Sequence, residues 1–134
     1  MFLALLSGNQ KRLFMSLAYD LAISDDDFSE NEKMAIKEYS REMEIEMKLE
    51  EADKDINHVI SEMNNICGER EKKIIVFEII GLAMADHNYD DGEREIVKKA
   101  LSIFELEQGF GDYCEKKLSE YFELQEELNS RILG

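Results

Sequence analysis

An internal repeat constrains the fold of this chain more than any other feature of its sequence. A shift of 61 positions places LAISDDDFSENEKMAI, residues 21–36, over LAMADHNYDDGEREIV, residues 82–97. Apolar positions stay apolar and several acidic positions stay acidic across the two copies. Each copy passes from an apolar segment through an acidic cluster into a charged but periodic segment. The chain is therefore expected to form the same local structure twice.

Apolar residues flank both acidic clusters at the three- and four-residue spacing of an amphipathic helix. Before the clusters these residues are Leu13, Leu17 and Leu21 in the first copy, and Ile75, Ile79 and Ala83 in the second. After the clusters they are Ala35, Tyr39 and Met43, and then Ile96, Ala100 and Phe104. The pattern predicts two helical hairpins, over about 13–45 and 74–106, which together would form a four-helix core.

Two further helices are predicted outside the repeats. A weaker apolar face indicates a connecting helix over about 49–66, and a last helix is expected over about 112–130, after the glycine-containing segment 108–112. The chain of 134 residues has no proline, and 44% of its residues are hydrophobic, enough for one core. We therefore predict an all-α fold, a compact bundle of about six helices that forms a single domain over 1–134.

The acidic clusters have a structural explanation. The spacing of Ser29 and Glu32 fits a capping box, in which side chain and backbone bond reciprocally at a helix start. Asp90 and Glu93 fit a related arrangement. Asp25 and the equivalent Asp86 instead follow an apolar helix, whose negative C-terminal end disfavours a carboxylate, and local Asx turns could account for them.

The same acids could also form a cation site. If Asp25 and Glu32, or Asp86 and Glu93, converge across a hairpin, their repulsion requires protonation, a basic partner or a bound cation. Oxygen ligands favour calcium or magnesium. An EF-hand loop fails on register, because the position of its last glutamate falls on a hydrophobic residue in both copies, and no Glu-x-x-His sequence of di-iron bundles occurs. Structural corners and a functional cation site both remain open.

Charge and hydropathy restrict the classes of partner. The 31 acidic and 16 basic residues give a net charge of -15, which disfavours nucleic acid and anionic lipid and favours cations or basic protein surfaces. The start of the chain lacks the regions of a signal peptide, and the longest apolar run, 74–85, is too short to span a membrane. A cytoplasmic protein is expected. Cys67 and Cys114 are isolated and expected to be reduced and buried.

Motifs for catalysis are absent from the sequence. It contains no GxSxG nucleophile elbow, no P-loop and no glycine-rich dinucleotide turn. We therefore expect a non-enzymatic acidic module that acts through protein contacts, with an unknown protein partner. The alternative is a small metal-dependent hydrolase that uses the paired carboxylates.

The paired acidic corners resemble those of the tellurite-resistance TerB family. Ala85, Asp86 and Glu93 match best, and Ser24, Asp25 and Glu32 match in the first copy, within a resemblance that covers about 13–124. His87 and Asp26 stand where the family's corner has glycine. The resemblance implies an all-helical bundle with pseudo-repeats, a cytoplasmic setting, and a divalent cation on acidic residues, here Asp25, Glu32, Asp86 and Glu93. Together with the paired acidic hairpins, it leads us to expect a role in a stress-response or regulatory assembly. TerB-like domains also occur as modules of larger proteins.

Overall fold

The computed structural model describes residues 1–24, 28–85 and 89–134. In these ranges the chain forms six α-helices and two 3-10 turns, and no β-strand occurs in them. The helices are α1 (Gly8–Ala22), α2 (Glu30–Met43), α3 (Ile56–Ile66), α4 (Glu69–Ala83), α5 (Asp91–Ile103) and α6 (Gln108–Leu133), and the 3-10 turns are Leu3–Leu5 and Leu49–Glu51. The predicted all-α bundle of about six helices is confirmed.

The two repeats form the hairpins α1/α2 and α4/α5, and their first helices make the centre of the molecule. α1 packs against α2, α3 and α4, while α4 also packs against α5 and α6. Equivalent residues of the repeat are fully buried, as Leu21 and Leu82 show. Burial of these apolar side chains is the main favourable contribution to folding. None of the helices in the described ranges is both long and apolar enough to cross a membrane.

The connection between the hairpins corrects the predicted helix over 49–66. A 3-10 turn occupies Leu49–Glu51, and α3 begins only at Ile56. Asp53 explains the break, because its backbone N–H donates to Ser16 Oγ at 3.2 Å and its side chain accepts from the Asp55 N–H at 2.9 Å. Asp55 then caps α3 by accepting from the His58 N–H at 3.2 Å. Such side-chain bonds give the backbone an alternative to helix, and these fix the start of α3.

The last helix is longer than the predicted 112–130. α6 runs over Gln108–Leu133 and therefore includes the glycine-containing segment that was expected to precede it. A Cβ at Gly111 would lie 2.9 Å from a methyl carbon of Leu101, so a larger residue there would force the Leu101 side chain to shift. Glycine lowers helix propensity, but here its missing side chain lets α6 approach α5 closely.

The N-terminal segment is docked onto the bundle, which the sequence did not reveal. Leu3 and Leu6 are buried in the core. The Glu42 carboxylate accepts from the Leu3 N–H at 2.9 Å. The buried Glu78 carboxylate accepts from the Phe2 N–H at 3.2 Å and from the Met1 amine at 2.9 Å. Two carboxylates from α2 and α4 thus hold the first residues against the hairpins.

Asp20 on α1 is a buried acid. The residue is 4% exposed, and neither of its carboxylate oxygens has a hydrogen-bond partner among residues 1–24, 28–85 and 89–134. Burial raises the pKa of Asp20 to about 6, with Asp53 and Asp55 adding repulsion and Lys54 opposing the rise. The folded state therefore binds a proton more tightly than the unfolded state does. The stabilisation that comes from this tighter proton binding is present at low pH and is lost as the pH rises through the Asp20 pKa of about 6.

Replacing Asp20 by Asn should stabilise the protein at neutral pH more than at acidic pH. The difference between the stability changes at pH 7.5 and pH 5 should be about 1–1.5 kcal/mol, because Asn removes the cost of ionising a buried carboxyl. Urea denaturation of both proteins at the two pH values measures it. Asp112→Asn, at an exposed site on α6, is the matched control, and equal stability changes at both pH values for Asp20→Asn would contradict the account.

Candidate functional site

Both hairpin corners are closed by capping boxes, as the sequence predicts. At the start of α2, Ser29 Oγ accepts from the Glu32 N–H at 3.1 Å, and Glu32 Oε1 accepts from the Ser29 N–H at 3.1 Å. At the start of α5, Asp90 Oδ1 accepts from the Glu93 N–H at 2.8 Å, and Glu93 Oε1 accepts from the Asp90 N–H at 3.2 Å. Each pair satisfies two backbone donors that the helix leaves unbonded.

The two corner glutamates are buried more deeply than a cap requires. Glu32 and Glu93 are each 1% exposed, and both have further partners. Glu51 and Glu71 also accept from a helix-start N–H, yet their side chains are 48% and 20% exposed. Burying a carboxylate costs free energy unless its surroundings compensate the charge. Their equivalent depth distinguishes Glu32 and Glu93 from the more exposed capping glutamates Glu51 and Glu71.

The other two predicted ligands lie outside the described residues. Asp25 belongs to segment 25–27 and Asp86 to segment 86–88, both excluded from the described ranges. Their convergence with Glu32 and Glu93 therefore stays a prediction. Within the ranges 1–24, 28–85 and 89–134, no group of three or more His, Cys, Asp or Glu side chains is arranged to hold a metal ion.

A cation lies over an aromatic ring beside each corner. Lys33 Nζ is 5.6 Å from the ring centre of Phe28, and the Arg94 guanidinium is 4.0 Å from that of Tyr89. Arg94 also bonds Glu115 of α6 with two nitrogens, at 3.1 and 2.9 Å. Lys33 instead pairs with a glutamate of its own helix. The second corner is thus fastened to α6 by a bidentate ion pair, which is stronger than the surface pair at the first.

The two thiols are unsuited to nucleophilic chemistry. Cys67 and Cys114 are free and buried, as predicted. Burial raises the pKa of each thiol to about 11. At neutral pH both are protonated, and the protonated form is not the nucleophile.

A groove between α2, α4 and α6 is a second candidate site, which the sequence did not predict. Its volume is about 540 Å³. Apolar side chains from α4 and α6 form much of its lining, and carboxylates stand on the α2 and α6 sides. The lining includes Ala35, Glu38 and Tyr39 of α2, Phe77 and Gly81 of α4, Met84 directly after α4, and Leu118, Phe122, Gln125 and Glu126 of α6. The apolar periodicity of α6 indicated a face that packs, but the sequence does not show which part of that face the neighbouring helices leave uncovered.

Comparison of the chain with protein-family models, with curated proteins and with solved structures finds no match. The resemblance to the TerB family therefore stays a prediction that rests on the corner residues quoted above.

Calcium and magnesium melts separate a cation site at the corners from caps alone. If Glu93 is a ligand, added cation should stabilise the wild type, by about 2.7 kcal/mol at a concentration 100 times Kd, and Glu93→Gln should abolish that gain. If Glu93 only caps α5, glutamine still reaches the helix start and neither ion shifts the Tm. Glu71→Gln, in the same capping position of α4, is the control. A wild-type Tm that responds to neither ion, relative to chelator, would contradict the cation site.

Proposed function

We propose that this chain is a non-enzymatic acidic helical module that binds a basic amphipathic helix of a protein partner, within a stress-response or regulatory assembly. The observation that carries the proposal is the groove between α2, α4 and α6, which combines apolar and acidic side chains. Proteins recognise amphipathic helices by laying the apolar face of the helix into such a groove.

The chemistry of the groove determines the partner's chemistry. Phe77, Met84 and Phe122 offer apolar surface to leucine-like or aromatic side chains. Glu38 on α2 has a side chain that is 66% exposed, and Glu126 on α6 is also exposed. A helix with lysine or arginine on the flanks of an apolar stripe would contact both kinds of surface at once.

The net charge of the whole chain supports the same class of partner. With 31 acidic and 16 basic residues, the molecule attracts basic surfaces over distances of about a Debye length. Electrostatic attraction of this kind raises the association rate and excludes acidic competitors. Binding through this groove should therefore weaken as salt concentration rises.

The alternative, a metal-dependent hydrolase that uses the paired corner carboxylates, needs those carboxylates to point into a pocket that a substrate can enter. The deeply buried corner glutamates, Glu32 and Glu93, are not among the residues that line the groove. A cation held at the corners would then shape the hairpins rather than meet a substrate in the groove. This geometry favours binding over hydrolysis.

Reversing two charges at the groove should remove the partner. The double substitution Glu38→Lys and Glu126→Lys places positive charge where the partner's basic residues would lie, so binding should weaken by about tenfold or more. Capture of partners from the native host on immobilised full-length protein, followed by titration of the enriched partner, measures the effect.

A double substitution of equal charge provides the control. Glu69→Lys and Glu95→Lys change the same charge at exposed positions outside the groove lining and should retain the partner. Loss of the partner from both double variants would show that net charge alone attracts it. The absence of any protein enriched over an equally acidic unrelated bait would remove the proposal.

A further inference from the structure

Exposed apolar residues concentrate on one surface of the molecule. Of the eleven large hydrophobic side chains most exposed in the described ranges, eight lie in the N-terminal segment or along one side of α6. We call these eight the apolar strip: Met1, Phe2, Leu5, Tyr113, Tyr121, Leu124, Leu128 and Ile132. Concentrated exposure of this kind marks an interaction surface, whereas single exposed residues do not.

The strip has two halves of different shape. At one end Met1, Phe2, Leu5 and Tyr113 line an apolar groove of about 540 Å³ between the N-terminal segment, α4 and the start of α6. At the other end Leu124, Leu128 and Ile132 continue from Tyr121 at the three- and four-residue spacing of a helical face. One half is concave and the other is a ridge on a helix.

The ridge stands on a part of α6 that contributes no buried side chain to the core of the described residues. Every residue from Glu123 to Leu133 is exposed, which is three turns of helix with a length of about 16 Å. An isolated helix this short is marginal in water, and most helices in proteins are stabilised by packing of an apolar face. The ridge therefore has the features of a surface that a partner covers.

The groove half of the strip carries positive charge, and the ridge half carries negative charge. The groove is lined by Arg70, Lys73 and Lys117, in a molecule whose net charge is -15. The ridge half, residues 123–133, carries Glu123, Glu126 and Glu127 against one cation, Arg131, so its net charge is negative. The three cations now form pairs with neighbouring glutamates at 3.3–3.4 Å. These pairs involve partly exposed groups, and such pairs are weak and readily exchanged.

We infer that two copies of this chain form a dimer in which the α6 helices lie antiparallel. The ridge of one copy fills the groove of the other, and a two-fold axis passes close to Tyr121 and Leu124. Each acidic flank then meets the basic lining of the opposite copy. The groove and the ridge follow one another along α6. A single two-fold rotation therefore places the ridge of each copy in the groove of the other, as an isologous interface requires.

This inference goes beyond the proposed function and uses a different face of α6. Leu118, Phe122 and Gln125 line the groove proposed for a basic helix, whereas Leu124, Leu128 and Ile132 form the ridge. Tyr121 lies at the border of the two faces. The two proposals can therefore fail independently, because substitutions on the ridge leave the lining of the acidic groove unchanged.

Sedimentation equilibrium of the full chain over a range of concentrations tests the dimer. The wild type should dimerise. The double substitution Leu124→Asp and Leu128→Asp should weaken association by at least about 100-fold, because each copy loses two leucines that the dimer interface would bury. Met34→Asp with Ile66→Asp adds the same charge at two exposed apolar residues outside the strip and should leave association unchanged. A wild type that is monomeric throughout the range, including one whose strip binds a different protein, would overturn the inference.

A charge exchange provides a second test that does not depend on leucine removal. Lys73→Glu with Lys117→Glu should weaken the dimer by about tenfold or more, through repulsion from the opposite flank. Adding Glu123→Lys and Glu127→Lys to that variant should restore most of the association, since the attraction between copies is then re-formed with reversed sign. Circular dichroism checks that each variant keeps its helices. Equal association of the two charge variants and the wild type, or failure of the four-fold variant to recover while still folded, would overturn the antiparallel arrangement.

Discussion

A glutamate that turns back onto the first turn of its own helix decides where the second arm of each hairpin begins. Glu32 and Glu93 both do this from nearly complete burial, bonding the N–H groups of Ser29 and Asp90. Fixing the helix start fixes the phase of the apolar face that follows, so that Ile36 and Val97 point inward. The first arms, α1 and α4, then pack on each other across the molecule. The arrangement of the buried core therefore depends on the cap that is repeated at the start of α2 and α5.

The sequence predicts the parts of the fold that depend on local periodicity and local capping. The hairpins carry apolar residues at helical spacing on both sides of a cap, so their existence can be derived from neighbouring residues alone. The break before α3 could not be derived in this way. It depends on a bond between the Asp53 backbone and Ser16 on a different helix. The docking of the N-terminal segment likewise depends on Glu42 and Glu78, which lie far along the chain.

The features of the candidate sites likewise divide into those that depend on neighbouring residues and those that depend on distant ones. The caps at Ser29 and Asp90 were predictable because three residues suffice to define a capping box. The burial of Glu32 and Glu93 was not, because a capping box forms equally well at an exposed helix start, as at Glu71. The acidic groove could not be predicted from the sequence either, since its walls come from α2, α4 and α6, and three helices separate α2 from α6 along the chain. The burial of Asp20 could not be predicted from the sequence either, because it depends on the segment that packs on α1.

The position of α6 outside the repeat has a further consequence for function. The two hairpins and α3 already enclose most of the buried apolar residues, and α6 adds Cys114 and Leu118 from its first half. Beyond Phe122 its side chains are exposed and no longer contribute to that core. Apolar side chains held on a helix but left in water give up the stabilisation that burial provides. The second half of α6 would recover that stabilisation only by contacting another surface. Both proposed binding surfaces therefore use α6, and the capped starts of α2 and α5 help to fix the hairpins on which it packs.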